Sequence, residues 1–138
     1  MRYFFKIRHS RPGVAAVELA VLLPLLCFLF VLAIDYARVF YVTMTVTNCA
    51  RSGAIYGSQN PTTANDQTGI STAANMDAGN LIAANVGVSS STDSATSPTY
   101  VIVTVTYPFS TITNFPGIAS TTTISRTIRL TVTPLTPG

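Results

Sequence analysis

Glu18 is the one charge between Arg11 and Asp35, and the run around it, from Val14 to Ile34, is otherwise apolar or small. A charged side chain near the cytoplasmic end of a membrane helix costs on the order of a few kcal/mol even on insertion scales, so a carboxylate in such a run calls for a partner or a function. The other groups able to do chemistry are scattered. The single histidine, His9, stands among Arg2, Lys6, Arg8 and Arg11, so neither a Ser-His-Asp nor a Cys-His arrangement can form beyond the apolar run. Asp66, Asp77 and Asp93 are isolated in polar stretches, lack the dense oxygen-ligand spacing of a calcium loop, and read as solvated. Cys27 and Cys49 are not a pair at zinc spacing, and the chain has neither a glycine-rich phosphate loop nor an internal repeat. These residues point away from an enzyme, a metal site, a cofactor or a small-molecule substrate. They point to a protein that binds, anchors or assembles.

The elements that would position Glu18 follow from hydropathy. Val14 to Ile34 spans 21 residues, about 31 Å as a helix, which matches the hydrocarbon core of a bilayer. Arg2, Lys6, Arg8 and Arg11 put a charge of +4 ahead of it, whereas four arginines against five acids leave −1 after it, within a total of +3. Basic flank, apolar span and neutral remainder predict a cytoplasmic leader over 1–13, a transmembrane segment over 14–34 and an extracytoplasmic remainder. The leader cations are explained by topology and anionic headgroups rather than by nucleic acid.

Helical spacing continues past the span. Val39, Val42, Val46, Cys49, Ala50 and Gly53 recur at three- and four-residue intervals, while Asp35, Arg38, Thr45 and Arg51 fall mostly elsewhere, and Gly57 is a stop signal. The helix is expected over Val14 to Tyr56, about 64 Å, with residues 35–57 as an extramembrane stalk. Its stripe either lies on the chain's own domain or packs on other copies, and both readings stand. On one continuous helix Cys27 and Cys49 would be about 33 Å apart and cannot bridge; Cys49 is either a buried thiol or an intermolecular bridge.

Residues 58–138 read as a small Ser/Thr-rich domain, enough for a modest core. Ser58 to Gln67 has linker composition, Ile70, Ala74, Ala78, Leu81, Ile82 and Asn85 suggest one short amphipathic helix, and Val88 to Pro98 reads as an exposed loop. Thr99 to Tyr107 alternates, with Val101, Val103, Val105 and Tyr107 on one face; Thr121 to Thr133 does the same, with Ile124, Ile128, Leu130 and Val132 inward. The two pair as an antiparallel ribbon joined by Pro108 to Ser120, a connection whose Phe109, Ile112, Phe115, Pro116 and Ile118 either mark a contact surface or fold back on the core. The fold class is therefore α+β: a long N-terminal transmembrane helix extending into a stalk, then a short helix and a two-stranded antiparallel ribbon.

The run Arg11-Pro12-Gly13-Val14-Ala15-Ala16-Val17-Glu18-Leu19-Ala20 with Leu22-Leu23-Pro24-Leu25-Leu26 resembles the amino terminus of TadE-like proteins, pseudopilins of the tight-adherence (Tad, type IVb) pilus systems. The resemblance continues at Asp35-Tyr36-Ala37-Arg38 and at Thr47-Asn48-Cys49-Ala50-Arg51-Ser52-Gly53-Ala54, and is looser at Val103 to Phe109 and Ser125 to Val132. It implies that a prepilin peptidase cuts between Gly13 and Val14, and that Glu18 guides assembly by neutralising the new amino group of a neighbouring subunit or of its own chain. It implies further partners, namely other pilin-like subunits, the assembly platform and the lipid bilayer, and a place in the bacterial inner membrane or in an extracellular adhesive pilus. Leu19 departs from the aromatic that major pilins carry after the glutamate, which favours a minor or accessory subunit. The alternative is a monomeric single-pass anchor presenting a small ligand-binding ectodomain. A third reading takes the apolar run for a secretory signal cut after Val31-Leu32-Ala33, although its length and the helical stripe beyond Asp35 argue against that.

Overall fold

The computed structural model describes residues 12–79, 81–95, 97–112 and 120–135. One helix, α1, runs from Pro12 to Gly57, a residue or two beyond the expected bounds at each end. Proline suits its first position, where the missing N–H would have had no partner, and Pro24 is accommodated within it. A boundary between two compact units falls between Ile34 and Asp35. In the first unit the apolar window is buried nowhere: Val17, Leu19, Val21, Leu25 and Phe30 are all more than half exposed. This helix is long and apolar enough to cross a membrane.

The second unit begins on the far half of α1. Ser58 N–H donates to the Ala54 carbonyl at 2.9 Å, and the chain turns into α2, Pro61–Ala64, whose cap Asn60 accepts from the Thr62 and Thr63 amides. The linker composition of 58–67 therefore hides a short helix, because an Asn-Pro start with a threonine at the third position closes a reciprocal cap. Next comes α3, Gln67–Met76, capped by the Asp66 side chain through the Gly69 amide. The single helix expected across Ile70 to Asn85 is cut short: Gly79 takes a φ of +57°, a left-handed turn that glycine adopts freely, and only a 3-10 turn, Ala83–Asn85, follows. Ile70, Ala74 and Ala78 are buried and Leu81 is half-buried, while Ile82 is 62% exposed.

The sheet has three strands rather than two. They are β1, Gly87–Asp93, β2, Tyr100–Ser110, and β3, Thr121–Thr131, in the order β1-β2-β3. The β2–β3 pairing is antiparallel from Tyr100↔Thr131 to Ser110↔Thr121. The correction is β1, which pairs antiparallel with β2 from Gly87↔Thr106 to Asp93↔Tyr100 where an exposed loop was expected. Its Ser/Thr sequence has no apolar alternation, and none of its residues is buried. Strand propensity in such a segment reflects the pleated surface it meets, not its own side chains. Gln67 supplies part of that surface: its side chain accepts from the Ser90 amide at 3.0 Å and donates to the Val88 carbonyl at 3.1 Å.

Val101, Val103, Val105 and Phe109 of β2, Ile124 of β3 and Val132 just beyond it form one buried cluster with Val42, Val46, Cys49, Ala50 and Ala54 of α1 and Ile70 and Ala74 of α3. Tyr107 is only half-buried and β2 continues to Phe109, so part of the expected connection is strand. A Cβ on Gly53 would lie 3.2–3.3 Å from Ile70 and Ala74, and one on Gly57 3.0 Å from Val101 and 3.2 Å from Ile70. The two glycines thus let α3 and β2 approach α1 closely. Thr133 N–H donates to the Ser58 carbonyl at 2.9 Å, fastening the chain beyond β3 to the end of α1.

Candidate functional site

Gly13 and Val14 occupy the second and third positions of α1. The first-turn amides of a helix have no intrahelical acceptor, so neither residue's N–H is tied into the helix. Nothing lies within 4 Å of where a Gly13 Cβ would be. Glu18 follows one turn later, exposed, in a shallow concavity lined by Val17, Val21 and Leu22. Among the described residues no donor or cation pairs with it. The basic leader of 1–11, including His9, lies outside the described residues, as do Phe115, Pro116 and Ile118.

Val42, Val46, Cys49 and Gly53 of the stripe are buried and Val39 is partly buried, and all but Gly53, which instead abuts Ile70 and Ala74 of α3, belong to or pack against the domain's own core. Cys49 is a free thiol with no exposed surface; burial pushes its pKa up, and the Asp77 carboxylate adds to the shift. Cys27 is free and exposed on the first unit.

The structure corrects the expectation for three acids, Asp35, Asp66 and Asp93. Asp35 lies on the buried side of α1, 7% exposed, not off the stripe. Its Oδ1 accepts from the Ile112 amide at 3.0 Å and from Arg38 Nη1 at 3.2 Å. Arg38 also donates to the Ser110 carbonyl at 3.4 Å and lies 5.2 Å over the Phe109 ring. This clamp fastens the end of β2 to the start of the stalk. The spacing 35, 39, 42, 46 was the available signal. Asp66 is half-buried rather than solvated: it accepts from the Gly69 amide and the Tyr56 hydroxyl, each at 2.9 Å. The Gly69 amide first and the Tyr56 hydroxyl second hold its pKa below the usual carboxylate range, and the same carboxylate raises that of Tyr56. A side chain on Gly69 would collide with both partners. Asp77 is exposed but accepts from the Ser52 hydroxyl, and Asp93 pairs with Arg129 at 3.1 Å.

Among the described residues no cluster of three His, Cys, Asp or Glu could hold a metal ion. What the arrangement offers is an apolar helix with one lone carboxylate near its start, continuous with the scaffold of a small domain. A family model described as TadE-like protein matches residues 13–54. Over those residues the chain is similar to TadE-like proteins. The match begins at Gly13 and ends at Ala54, within the buried stripe, and so covers the Gly13–Glu18 spacing, the apolar window and the clamp residues Asp35 and Arg38. The similarity ties the chain to pilus-associated, pilin-like structural proteins. No curated protein and no solved structure matches the chain.

Proposed function

We propose that this chain is a minor pilin or pseudopilin of a Tad-type pilus, anchored in the bacterial inner membrane by residues 14–34 with its amino terminus cytoplasmic and its domain outside. The observation that carries the reading is Glu18, an exposed carboxylate without a described partner, five residues after Gly13 within the TadE-like segment. Cutting between Gly13 and Val14 hydrolyses one peptide bond and leaves an ammonium on Val14. A charge buried in hydrocarbon is tolerated when paired, and breaking such a pair is costly; the new ammonium, on the same chain or on a neighbour, is the partner Glu18 lacks. Prepilin peptidase, other pilin-like subunits and the assembly platform are the partners on this reading.

The test is the intact mass and amino-terminal sequence of the membrane-extracted protein, with and without the candidate peptidase, together with pilus counts for Glu18→Ala. A peptidase-dependent start at Val14 and lost piliation in a variant that still inserts are the expected results. An uncut chain with normal piliation in Glu18→Ala would sink the proposal. One observation favours the monomeric anchor as a second reading: the stripe of Val39, Val42, Val46, Cys49 and Gly53 is used up within the chain's own domain. Crosslinking in membranes separates the two, since an anchor yields no adduct with copies of itself or with pilus components.

A further inference from the structure

The face of α1 opposite the sheet carries an aromatic surface that nothing in the domain covers. Tyr36 is 76% exposed, Phe40 61%, Tyr41 50% and Met44 53%. At 3.6 residues per turn these four fall within an arc of about 140°, centred opposite Asp35, Val39, Val42 and Val46. The two charges in the same stretch, Asp35 and Arg38, are turned off that arc and bonded to each other, to Ser110 and to Ile112. Tyr36 follows Ile34 by about 3 Å of helical rise and Met44 by about 15 Å.

From these observations we infer that Tyr36, Phe40, Tyr41 and Met44 seat in the outer headgroup interface of the bilayer, as a lipid-contacting belt that extends the anchor past the span. The inference rests on the reading of residues 14–34 as a membrane span. Three features identify lipid as the occupant. The surface lies on α1, the same helix that carries the uncovered apolar window. Aromatic rings with polar tips are enriched at the membrane–water boundary, where one end is apolar and the other wet. At the standard helical rise Val14 to Met44 amounts to about 45 Å, or about 42 Å at an average tilt near 20°, which matches the roughly 40–45 Å of a bilayer with its headgroups. In the two turns beyond Met44 the same arc carries Asn48 and Arg51, both exposed, and its next apolar residue is the isolated Ile55. The belt therefore ends where the headgroup region would.

The chain contains no tryptophan, so single substitutions report depth without background. Leu29→Trp, Phe40→Trp, Tyr41→Trp and Ile55→Trp would be made in the full chain and reconstituted in phosphatidylethanolamine–phosphatidylglycerol vesicles. Quenching would be compared for lipids brominated near the headgroup, lipids brominated near the chain end, and aqueous acrylamide. Leu29→Trp should be quenched by deep bromines, Phe40→Trp and Tyr41→Trp several-fold more by shallow bromines than by deep ones, and Ile55→Trp by acrylamide. If Leu29→Trp is quenched only from water, the span reading itself fails. If Leu29→Trp behaves as a span residue while positions 40 and 41 are quenched only by acrylamide, the belt is refuted. Should those two positions be shielded from both bromines and acrylamide, the face is covered by protein, which also overturns a lipid belt.

Discussion

Replacing Asp35 with alanine should destabilise the second unit more than replacing Arg38, although the two form one ion pair. The Asp35 side chain is 10% exposed and that of Arg38 42%, so the pair is asymmetric. In Asp35→Ala the Ile112 amide loses its charged acceptor, and bonds to charged groups contribute about 1.5–3 kcal/mol; Arg38 loses its counter-charge as well. In Arg38→Ala the carboxylate keeps the Ile112 amide. The half-exposed pair is discounted to about 0.2–1 kcal/mol, and the cation over Phe109 adds about 0.5–1. The expected losses are therefore about 2 kcal/mol or more for Asp35→Ala and about 1 for Arg38→Ala. At roughly 4–8 °C per kcal/mol for a domain of this size, Tm falls by about 8–16 °C in the first and about half that in the second. Circular-dichroism melts of the detergent-solubilised full chain measure both. Hydrogen exchange at the Ile112 amide supplies a local check, with faster opening in Asp35→Ala and little change in Arg38→Ala. Equal losses in the two variants, or an unchanged Ile112 amide in Asp35→Ala, would refute the clamp as drawn.

Other consequences are testable in the same preparation. Ile70→Ala, at a side chain with no exposed surface, should cost about 2–5 kcal/mol, and Gly57→Ala about 1–3 through overpacking against Val101 and Ile70. Because Ile70→Val removes the Cδ1 atom that lies 3.2 Å from the added methyl, Gly57→Ala with Ile70→Val should lose less than the sum of the single variants, and a strictly additive loss would contradict the close approach. Since Asp66 is held below its ordinary pKa, its contribution is present above the usual carboxylate range and disappears as pH falls through the folded value. Tyr56 is raised, so its contribution is present below about pH 10 and is lost as pH rises through its folded value. Melts across pH should be flat between these limits for this pair, and Tyr56→Phe should blunt the alkaline decline; an unchanged alkaline limb would sink that assignment. Buried and pushed up in pKa, Cys49 should resist a water-soluble maleimide until the domain unfolds, whereas rapid labelling of native protein would show that the stripe is open.

What the sequence reveals about this chain depends on whether an element's environment is a solvent or another segment. The long apolar helix is legible because its length and apolarity are those a bilayer would impose on any helix that crosses it, and Glu18 stands out against that background alone. β2 is legible because Val101, Val103 and Val105 repeat the sheet's own period. β1 is not, since its place is set by the β2 ladder and by Gln67, neither of which leaves a mark on a Ser/Thr sequence.

Asp35 shows the same limit at one residue. Its spacing from Val39, Val42 and Val46 puts it on the stripe, while its charge argues for water. The matter is decided by the Ile112 amide, 77 positions away in sequence. A carboxylate can join a core face when a backbone donor and an arginine are waiting there, and only the folded chain says whether they are. The same reasoning recasts the stripe as a whole. Regular spacing establishes that a face is covered, not by what, and here the cover is the chain's own sheet and α3. The face left for contacts outside the chain is the opposite one, where Tyr36, Phe40, Tyr41 and Met44 break no pattern of the sequence. Their exposure becomes informative only once the domain is known to occupy the other side.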